Sequence, residues 1–360
     1  MIAVVHDDLV LSPVADIETV RTEWTSLALE GRNVFGTWEW ADAWRRHLAP
    51  RGELAVAVAR RPTGIAAAIL PLWVARRRPC RLVRFIGAGP ADRLGPVCAR
   101  AQQAPAHLAL KRHLDSVLAG SGLFVGERLS ACDCGGDIPG AALVARNASP
   151  LLSLGAGGFE AFLASRSRHF RNHVRRQERT IMRAGRLVYR LTQDADELGR
   201  DMHTLLALHG ARWAGQRTTA LSGPRAKFHL DFAQTALPNG WLRLWTLELD
   251  GQPLASYYGL RFAGSELYYQ MGRDPAYDRL SVGFVLLCHA IRSAAEDGVR
   301  EYAFGVGDEE YKSRFTDHDP GVRTIALAAG LAGKTALAAL RAVLELPAGA
   351  RRVAWRLSGR

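Results

Sequence analysis

The stretch WLRLWTLELDGQPLASYYGLRFAGSELYYQMG, residues 241–272, decides the fold of this chain. Apolar and polar side chains alternate over residues 241–249, which is the pattern of a half-buried strand. Asp250-Gly251 follows as a two-residue turn of the kind that joins antiparallel strands. Further strands are predicted over residues 254–262 and 265–271. Together these patterns predict a three-stranded antiparallel meander.

A helix and a further strand are predicted directly after this meander. Apolar side chains recur at helical spacing over residues 282–297, Ser281 stands at the expected N-cap, and Gly298 stops the helix. Residues 300–306 then have the composition of a short strand. The meander, the helix and the strand therefore form one predicted unit.

The first half of the chain repeats this order more weakly. Strands are predicted over residues 53–60, 65–74 and 81–86, with a turn at Pro62-Thr63-Gly64 between the first two. A helix over residues 106–119 follows them, as the later helix follows the later meander. The repeat predicts an α/β fold with mixed sheets, built from two similar units in tandem.

The length supports two domains, since 360 residues exceed the usual size of a single hydrophobic core. We expect a first domain over residues 1–145, a second over residues 146–330 and a basic helical tail over residues 331–360. The linker is expected within residues 135–150, which are rich in Gly, Ala, Pro and Asn.

Composition bounds the class of protein. A hydrophobic fraction of 48% with 23% charged residues is typical of a folded globular protein and excludes a disordered one. Asp7-Asp8 lie where a secretory signal would need a basic start, and no apolar run is long enough to span a bilayer, so a cytoplasmic location is expected. Five cysteines fit reduced thiols in that compartment. Cys132 and Cys134 lack a second pair at metal-ligand spacing, so we expect a loop with free thiols and no metal site.

The net charge of +12 predicts an acidic partner. Nucleic acid, an anionic membrane surface and a phosphorylated cofactor all remain open. The helix predicted over residues 165–184 is the most basic segment; its arginines are Arg166, Arg168, Arg171, Arg175, Arg176, Arg179 and Arg183. Its default interpretation is a solvated helix face, and contact with a nucleic-acid backbone is the alternative. The tail is expected to pack on the body, with peripheral membrane contact as its alternative.

The strongest candidate for chemistry is GDEEYK, residues 307–312. Asp308, Glu309, Tyr311 and Lys312 place carboxylates, a phenol and an ammonium just after a predicted strand, and such a group can remove a proton, return one and hold an anion. Lys312 is one of four lysines among 47 basic residues, which favours a role that arginine cannot fill. The alternative for the acids is the first turn of a helix, where negative charge is favoured anyway, and it applies most of all to Glu310.

Several motifs accompany this pattern in a fixed order. LLALHGARW (205–213) is similar to an LxxLHxxRW stretch, and DGQPLA (250–255) to a dGxxiA hairpin. FGVGDEEYK (304–312) matches an F-x-x-G-[DE]-x-x-YK ending, and FGTWEW (35–40), GPAD (89–92) and SVG (281–283) add weaker matches. Taken in order, they resemble the GNAT acyltransferases, and among them the CelD/BcsL-like (BioF2-like) subfamily, which is related to the Fem peptidyltransferases.

The resemblance implies transfer of an acyl group, acetyl among the candidates, from acyl-CoA to an amine. Cell-envelope or polysaccharide intermediates are the acceptors it favours, and the first domain would be degenerate and shape the acceptor cleft. It also implies a pyrophosphate site where the later helix begins, since free N–H groups and the helix dipole favour an anion there. The residues expected at that site are Arg273, Arg279, Ser281, Val282 and Gly283. The usual GNAT loop pattern is present only in part, as Arg279-Leu-Ser-Val-Gly283-Phe.

The transfer needs a base for the amine, donors for the oxyanion and an acid for the leaving thiolate. The resemblance implies that Tyr311 is the acid and that the strand over residues 266–271 offers a backbone N–H to the oxyanion. Glu309 and Asp308 are the candidate bases, and Lys312 is expected to hold a substrate anion or to polarise the carbonyl.

A second predicted helix, residues 196–213, ends in the LHxxRW motif. His209, Arg212 and Trp213 are expected to line the acceptor cleft. The alternative for His209 is a buried core histidine, which is the more common environment for a histidine on an apolar helix.

Two other functions remain open at this point. One is a Fem-like transferase that uses aminoacyl-tRNA as donor, and the other is a non-enzymatic protein of the same fold that binds nucleic acid or a partner. RNA binding that falls steeply with salt, together with indifference to CoA, would favour both of these over the acyl-CoA enzyme.

Overall fold

The computed structural model describes residues 9–77, 80–131, 138–213 and 219–345. Two mixed β-sheets form the centre, so that the predicted α/β fold is confirmed. In spatial order the first sheet consists of β1 (Val10–Val14), β2 (Gly52–Arg60), β3 (Ala66–Arg77), β4 (Cys80–Phe85), β6 (Gly122–Ser130), β14 (Val322–Ala329) and β7 (Ala142–Asn147), with β5 (Val97–Cys98) pairing with β3. The second sheet consists of β8 (Leu151–Ser153), β13 (Glu301–Ala303), β12 (Ser265–Arg273), β11 (Gln252–Phe262), β10 (Leu242–Leu249) and β9 (Leu187–Leu191).

Ten α-helices cover these sheets within the described residues. Those of the first half are α1 (Arg21–Gly31), α2 (Trp38–His47) and α3 (Gln103–Leu118). Those of the second half are α4 (Gly158–Ser165), α5 (Arg168–Ala184), α6 (Ala195–Arg212), α7 (Pro224–Ala236), α8 (Val282–Glu296), α9 (Glu310–Ser313) and α10 (Gly330–Glu345).

The two halves repeat one strand arrangement, as the sequence predicted. In the second sheet β10, β11 and β12 are antiparallel neighbours, and β13 joins β12 in parallel after α8. In the first sheet β2, β3 and β4 are antiparallel neighbours, and β6 joins β4 in parallel after α3. Each helix provides the crossover that a parallel pair of strands requires.

The first sheet takes one strand from the predicted second domain. β14 comes from the end of that domain but pairs antiparallel with β6 of the first sheet. β8 begins just after the predicted boundary at residue 145 and pairs antiparallel with β13 of the second sheet. Sheet membership therefore departs from the predicted division at β14, because a strand pattern identifies a strand and not its partner. The domain division itself stays a prediction.

Three further sequence predictions concern the linker, the cysteines and the C-terminal tail. The linker predicted within residues 135–150 is wrong for Ala142–Asn147, which forms β7 against β14. Cys132 and Cys134 lie outside the described residues, while the described Cys80, Cys98 and Cys288 are free thiols. The predicted tail helix begins as α10, whose Leu337 and Leu340 pack against the first sheet, and residues 346–360 are outside the described part of the chain.

Two large apolar clusters hold the fold together. The first fills the first unit and continues onto one face of the second sheet, where Tyr258 and Tyr269 are buried. The second packs α8 on the opposite face of that sheet, against Tyr257 and Met271. The second sheet is thus covered by α6, α7 and the first unit on one side and by α8 on the other. Of the described helices, none combines the length and the apolar character that a membrane crossing requires.

Candidate active site

The second sheet opens between two parallel strands. β12 and β13 pair only at Ser265 with Glu301, Glu266 with Tyr302, and Leu267 with Ala303. β12 then continues to Arg273, whereas the chain after β13 turns away at Gly305. Beyond Leu267, therefore, no described strand pairs with this edge of β12, and its backbone N–H and C=O groups can serve a ligand.

A cleft of about 280 Å³ lies along this open edge. It forms where the end of α6, the second half of β12, the start of α8 and α9 meet. Its lining residues are Arg212, Tyr268, Met271, Arg273, Asp278, Ser281, Val282, Gly283, Phe284, Leu287 and Tyr311. We call it the donor cleft. It brings together Arg212, Arg273, Ser281, Val282, Gly283 and Tyr311, which the sequence had predicted as site residues.

The start of α8 presents backbone donors to the donor cleft. Ser281 is the N-cap residue as predicted, but it adopts the left-handed conformation (φ 53°) and its side chain makes no capping hydrogen bond. The first N–H groups of a helix have no partner within the helix, so they remain available here to an anion, which the helix dipole also favours. A Cβ added at buried Gly283 would lie 3.0 Å from the Met271 sulfur, so glycine lets α8 approach β12 this closely.

The two predicted pyrophosphate arginines are placed differently. Arg273 lines the donor cleft and forms an ion pair with Asp278. Burial, and then the nearby charge of Arg212, lowers the pKa of Arg273 below its usual value. Arg279 is exposed in the short 3₁₀ turn Pro275–Leu280 and does not line the cleft. The prediction for Arg279 is therefore not supported by its position.

Two tyrosines and an arginine converge at the inner end of the cleft. The rings of Tyr268 and Tyr311 lie 6.4 Å apart at 75°, and each phenol affects the pKa of the other. The Arg212 guanidinium donates a hydrogen bond to the Met271 carbonyl on the open edge of β12, at 3.2 Å. Burial raises the pKa of both phenols above the usual 10, so both stay protonated at neutral pH.

Close packing of α6 on β12 places Arg212 there. A Cβ added at Gly272 would lie 2.4 Å from the backbone nitrogen of His209, so only glycine lets the helix cross the strand at this point. His209 itself is 2% exposed and does not line the cleft, and burial lowers the pKa of its imidazole. Its position agrees with the core alternative. Trp213 is 36% exposed, and the Arg212 guanidinium lies 5.1 Å from the centre of its ring.

Lys312 does not line the cleft either. Its ammonium is buried, and it donates to the carbonyl oxygens of Gly305 and Gly307, each at 3.3 Å. It also forms an ion pair with the Glu309 carboxylate at 2.7 Å. Lys312 therefore holds the turn after β13 in place, and the expectation that it contacts a substrate is not supported. Asp308 and Glu309 are exposed beside this turn.

Asp92 of the first unit reaches the same turn from the other side. One of its carboxylate oxygens accepts a hydrogen bond from Arg128 at 2.9 Å, and the other accepts one from the backbone N–H of Val306 at 3.4 Å. Its side chain is 17% exposed. Burial raises its pKa from the usual 3.8, against the lowering effect of Arg128. The GPAD motif was the only sequence signal for Asp92, and it assigned this residue no role.

The comparisons agree with this geometry. The family model described as an acetyltransferase (GNAT) domain matches residues 168–313, so this part of the chain is similar to a GNAT domain. No curated protein matches the chain.

Solved structures resemble nearly the whole chain. One is FemX, with 10% sequence identity and a TM-score of 0.63, covering 89% of this chain and 98% of that one. A second is described as the C-terminal domain of a lysylphosphatidylglycerol synthetase from Agrobacterium fabrum, with 11% identity, a TM-score of 0.58, and coverage of 93% and 98%. The third is L-PGS from Bacillus licheniformis, with 12% identity, a TM-score of 0.58, and coverage of 92% and 95%. At such low identity they show a shared fold.

Proposed function

We propose that this protein is an N-acyltransferase of the CelD/BcsL-like (BioF2-like) kind that moves an acyl group from acyl-CoA to an amine. The observation that carries the proposal is the donor cleft, where the uncapped N-terminus of α8 faces the unpaired edge of β12. Its two surfaces suit the two parts of an acyl-CoA, since helix N–H groups bind phosphate and an open strand edge can pair with an amide-containing chain.

The donor would be held by the start of α8 and by Arg273. The backbone N–H groups around Gly283 would take the pyrophosphate, and Arg273 would add positive charge beside it. The pantetheine amides would pair with the open edge of β12, which directs the thioester towards Tyr268 and Tyr311. An unpaired N–H of β12 beyond Leu267 would then stabilise the oxyanion.

Tyr311 is assigned the role of acid. As the amine attacks the carbonyl and the C–S bond breaks, the leaving thiolate needs a proton, and the Tyr311 phenol can supply it. Its raised pKa suits this role because the phenol remains protonated at neutral pH. The Tyr268 ring packs edge-on against the Tyr311 ring, and Arg212 holds the strand edge beside them.

The acceptor would approach from the side of the first unit. A cavity of about 140 Å³ between the units is lined by Asp92 together with Leu267, Ala303 and Gly305 at the point where the strands separate. Asp92 is therefore our first candidate for the base that receives the amine proton, ahead of Glu309, whose carboxylate is paired with Lys312. We also propose that the first domain is degenerate and forms one wall of the acceptor cleft. The proposed location is the cytoplasm, where acyl-CoA is available.

A Fem-like transferase that uses aminoacyl-tRNA is the second candidate. The observation that favours it is the row of exposed arginines on α5, Arg168, Arg175, Arg176, Arg179 and Arg183. A basic helix of this kind can follow a nucleic-acid backbone.

The test is to incubate the protein with acyl-CoAs from acetyl to long-chain and with a panel of amines, following release of free thiol. Acyl-CoA-dependent thiol release that requires an amine supports the proposal. Absence of thiol release together with absence of CoA binding by calorimetry overturns it, and aminoacyl transfer from charged tRNA would establish the second candidate instead.

A further inference from the structure

A second cavity, of about 720 Å³, lies beside the donor cleft. It is formed by the first half of α5 and the end of α9. Its lining residues are Ser165, Arg166, Ser167, His169, Phe170, His173, Arg176, Ser313, Arg314 and Asp317. We call it the α5 pocket.

One layer of side chains separates the α5 pocket from the donor cleft. Phe284 lines the donor cleft, and its ring lies 4.8 Å from the His173 ring, which lines the α5 pocket. Tyr311 of α9 lines the donor cleft, and Arg314, directly after α9, lines the α5 pocket. The donor cleft and the α5 pocket therefore adjoin at the contact between Phe284 and His173.

Cations converge in the α5 pocket. Arg176 and Arg314 both lower the pKa of His173, after the larger effect of burial, and no carboxylate acts against them. The only acid in the lining is Asp317, whose side chain is 85% exposed and paired with Arg166 at 3.2 Å. The Glu310 partner of Arg314 is 90% exposed and 3.4 Å away, which makes a weak surface pair. Arg176 and Arg314 are thus the two cations best placed to receive an anion.

The position of these two cations matches the chemistry of coenzyme A. Its pyrophosphate and a separate phosphate are attached to the same ribose, at the 5′ and 3′ oxygens, so the two groups lie only a few bonds apart. Guanidinium groups bind such a phosphate through paired, charge-assisted hydrogen bonds. We infer that the α5 pocket binds the ribose 3′-phosphate of the coenzyme A donor, through Arg176 and Arg314. This inference rests on the proposed function, and it gives the basic face of α5 a role in donor recognition.

The test compares coenzyme A with 3′-dephospho-coenzyme A, by calorimetry on the full chain. The wild-type protein should bind coenzyme A at least about tenfold more tightly, which is the effect of losing one charged hydrogen-bonded group. The double variant R176Q/R314Q should lose this preference while its affinity for the dephospho form stays unchanged. Arg183→Gln, on the same helix and exposed but outside the pocket, should keep the preference.

The outcomes separate the inference from the function it rests on. If the wild-type protein binds coenzyme A and 3′-dephospho-coenzyme A with equal affinity, the inference is overturned and the acyl-CoA donor remains intact. This comparison needs no variant. Equal weakening of both ligands by the double variant would also overturn it. If neither ligand binds, the inference and the proposed function fail together.

Discussion

The Asp92 carboxylate accepts a hydrogen bond from the backbone N–H of Val306 and thereby joins the first unit to the turn where the second sheet opens. The two residues are 214 positions apart in the chain. Their contact places a carboxylate of one unit beside the candidate reaction centre of the other. The first unit would then contribute to chemistry and not only to the shape of the acceptor cleft.

Replacing Asp92 with Asn should lower kcat much more than it raises the KM of the donor. A base must be ionised, and burial raises the pKa of Asp92 above 3.8, so the wild-type pH–rate profile should fall on the acid side at a pH above that value. The variant should lose this acid limb, which steady-state kinetics across pH would detect. An unchanged acid limb in the variant would assign the base to another group, with Glu309 the next to test.

The same shift affects stability in a defined direction. Because the folded state binds the Asp92 proton more tightly than the unfolded state, this group contributes stability at pH values below its usual 3.8. That contribution is lost as pH rises through the folded-state pKa. Between pH 3.8 and the folded-state pKa of Asp92, the free energy of unfolding of the wild-type protein should therefore fall as pH rises. Asp92→Asn should lack this part of the pH dependence. Urea unfolding of both proteins across this range measures the difference.

Replacing Tyr311 with Phe should reduce turnover by about 10²- to 10⁴-fold with little change in donor affinity, since it removes an acid that acts only in the transition state. Because the Tyr311 pKa is raised above 10, the wild-type rate should show no alkaline loss from this group below that pH. Single-turnover kinetics with calorimetry of CoA separate the two effects. A Phe variant with full turnover would remove Tyr311 from the mechanism.

Replacing Lys312 with Met should destabilise the protein by about 1–3 kcal/mol, because the variant leaves the carbonyls of Gly305 and Gly307 without their buried donor. The Glu309 ion pair adds little to this, since that carboxylate is 58% exposed. Lys334→Met, at an exposed position of α10, is the matched control and should stay within about 0.5 kcal/mol of wild type in urea unfolding. A variant with full stability but no turnover would restore the chemical role that the sequence predicted.

Replacing Gly283 with Ala should weaken CoA binding. The new methyl group would lie 3.0 Å from the Met271 sulfur and 3.3 Å from the Arg273 side chain, so these cleft side chains or the start of α8 must shift by a few tenths of an ångström. Gly199→Ala in α6 is the control, since its added Cβ contacts nothing within 4 Å and should stabilise the helix by about 0.5–1 kcal/mol. If both variants bind CoA as wild type does, close packing at Gly283 has no part in donor binding.

The sequence predicts local structure well and contacts between distant segments poorly, for a physical reason. Periodicity within β10–β12 and α8 reflects which faces are buried, and that information lies within a few residues. The choice of a pairing partner depends on the whole fold, so the pairing of β14 with the first sheet could not be predicted.

In the candidate site too, the sequence indicates local features but not contacts between distant segments. Arg273, Ser281, Gly283 and Tyr311 were predicted because they follow strands or begin a helix in a recognisable order. For Lys312 the sequence showed the chemistry of the side chain but not its direction, which is towards the carbonyls of Gly305 and Gly307. Asp92 was assigned no role because its proximity to Val306 exists only in the folded chain.

The most direct test of the central claim, that the donor lies between β12 and α8, is hydrogen exchange of the full chain with and without coenzyme A, followed by mass spectrometry. Binding should slow exchange in peptides that cover residues 268–273 and 281–284, where the ligand would cover open backbone N–H groups. Slowed exchange in other parts of the chain, with these peptides unchanged at saturating coenzyme A, would contradict the proposed site.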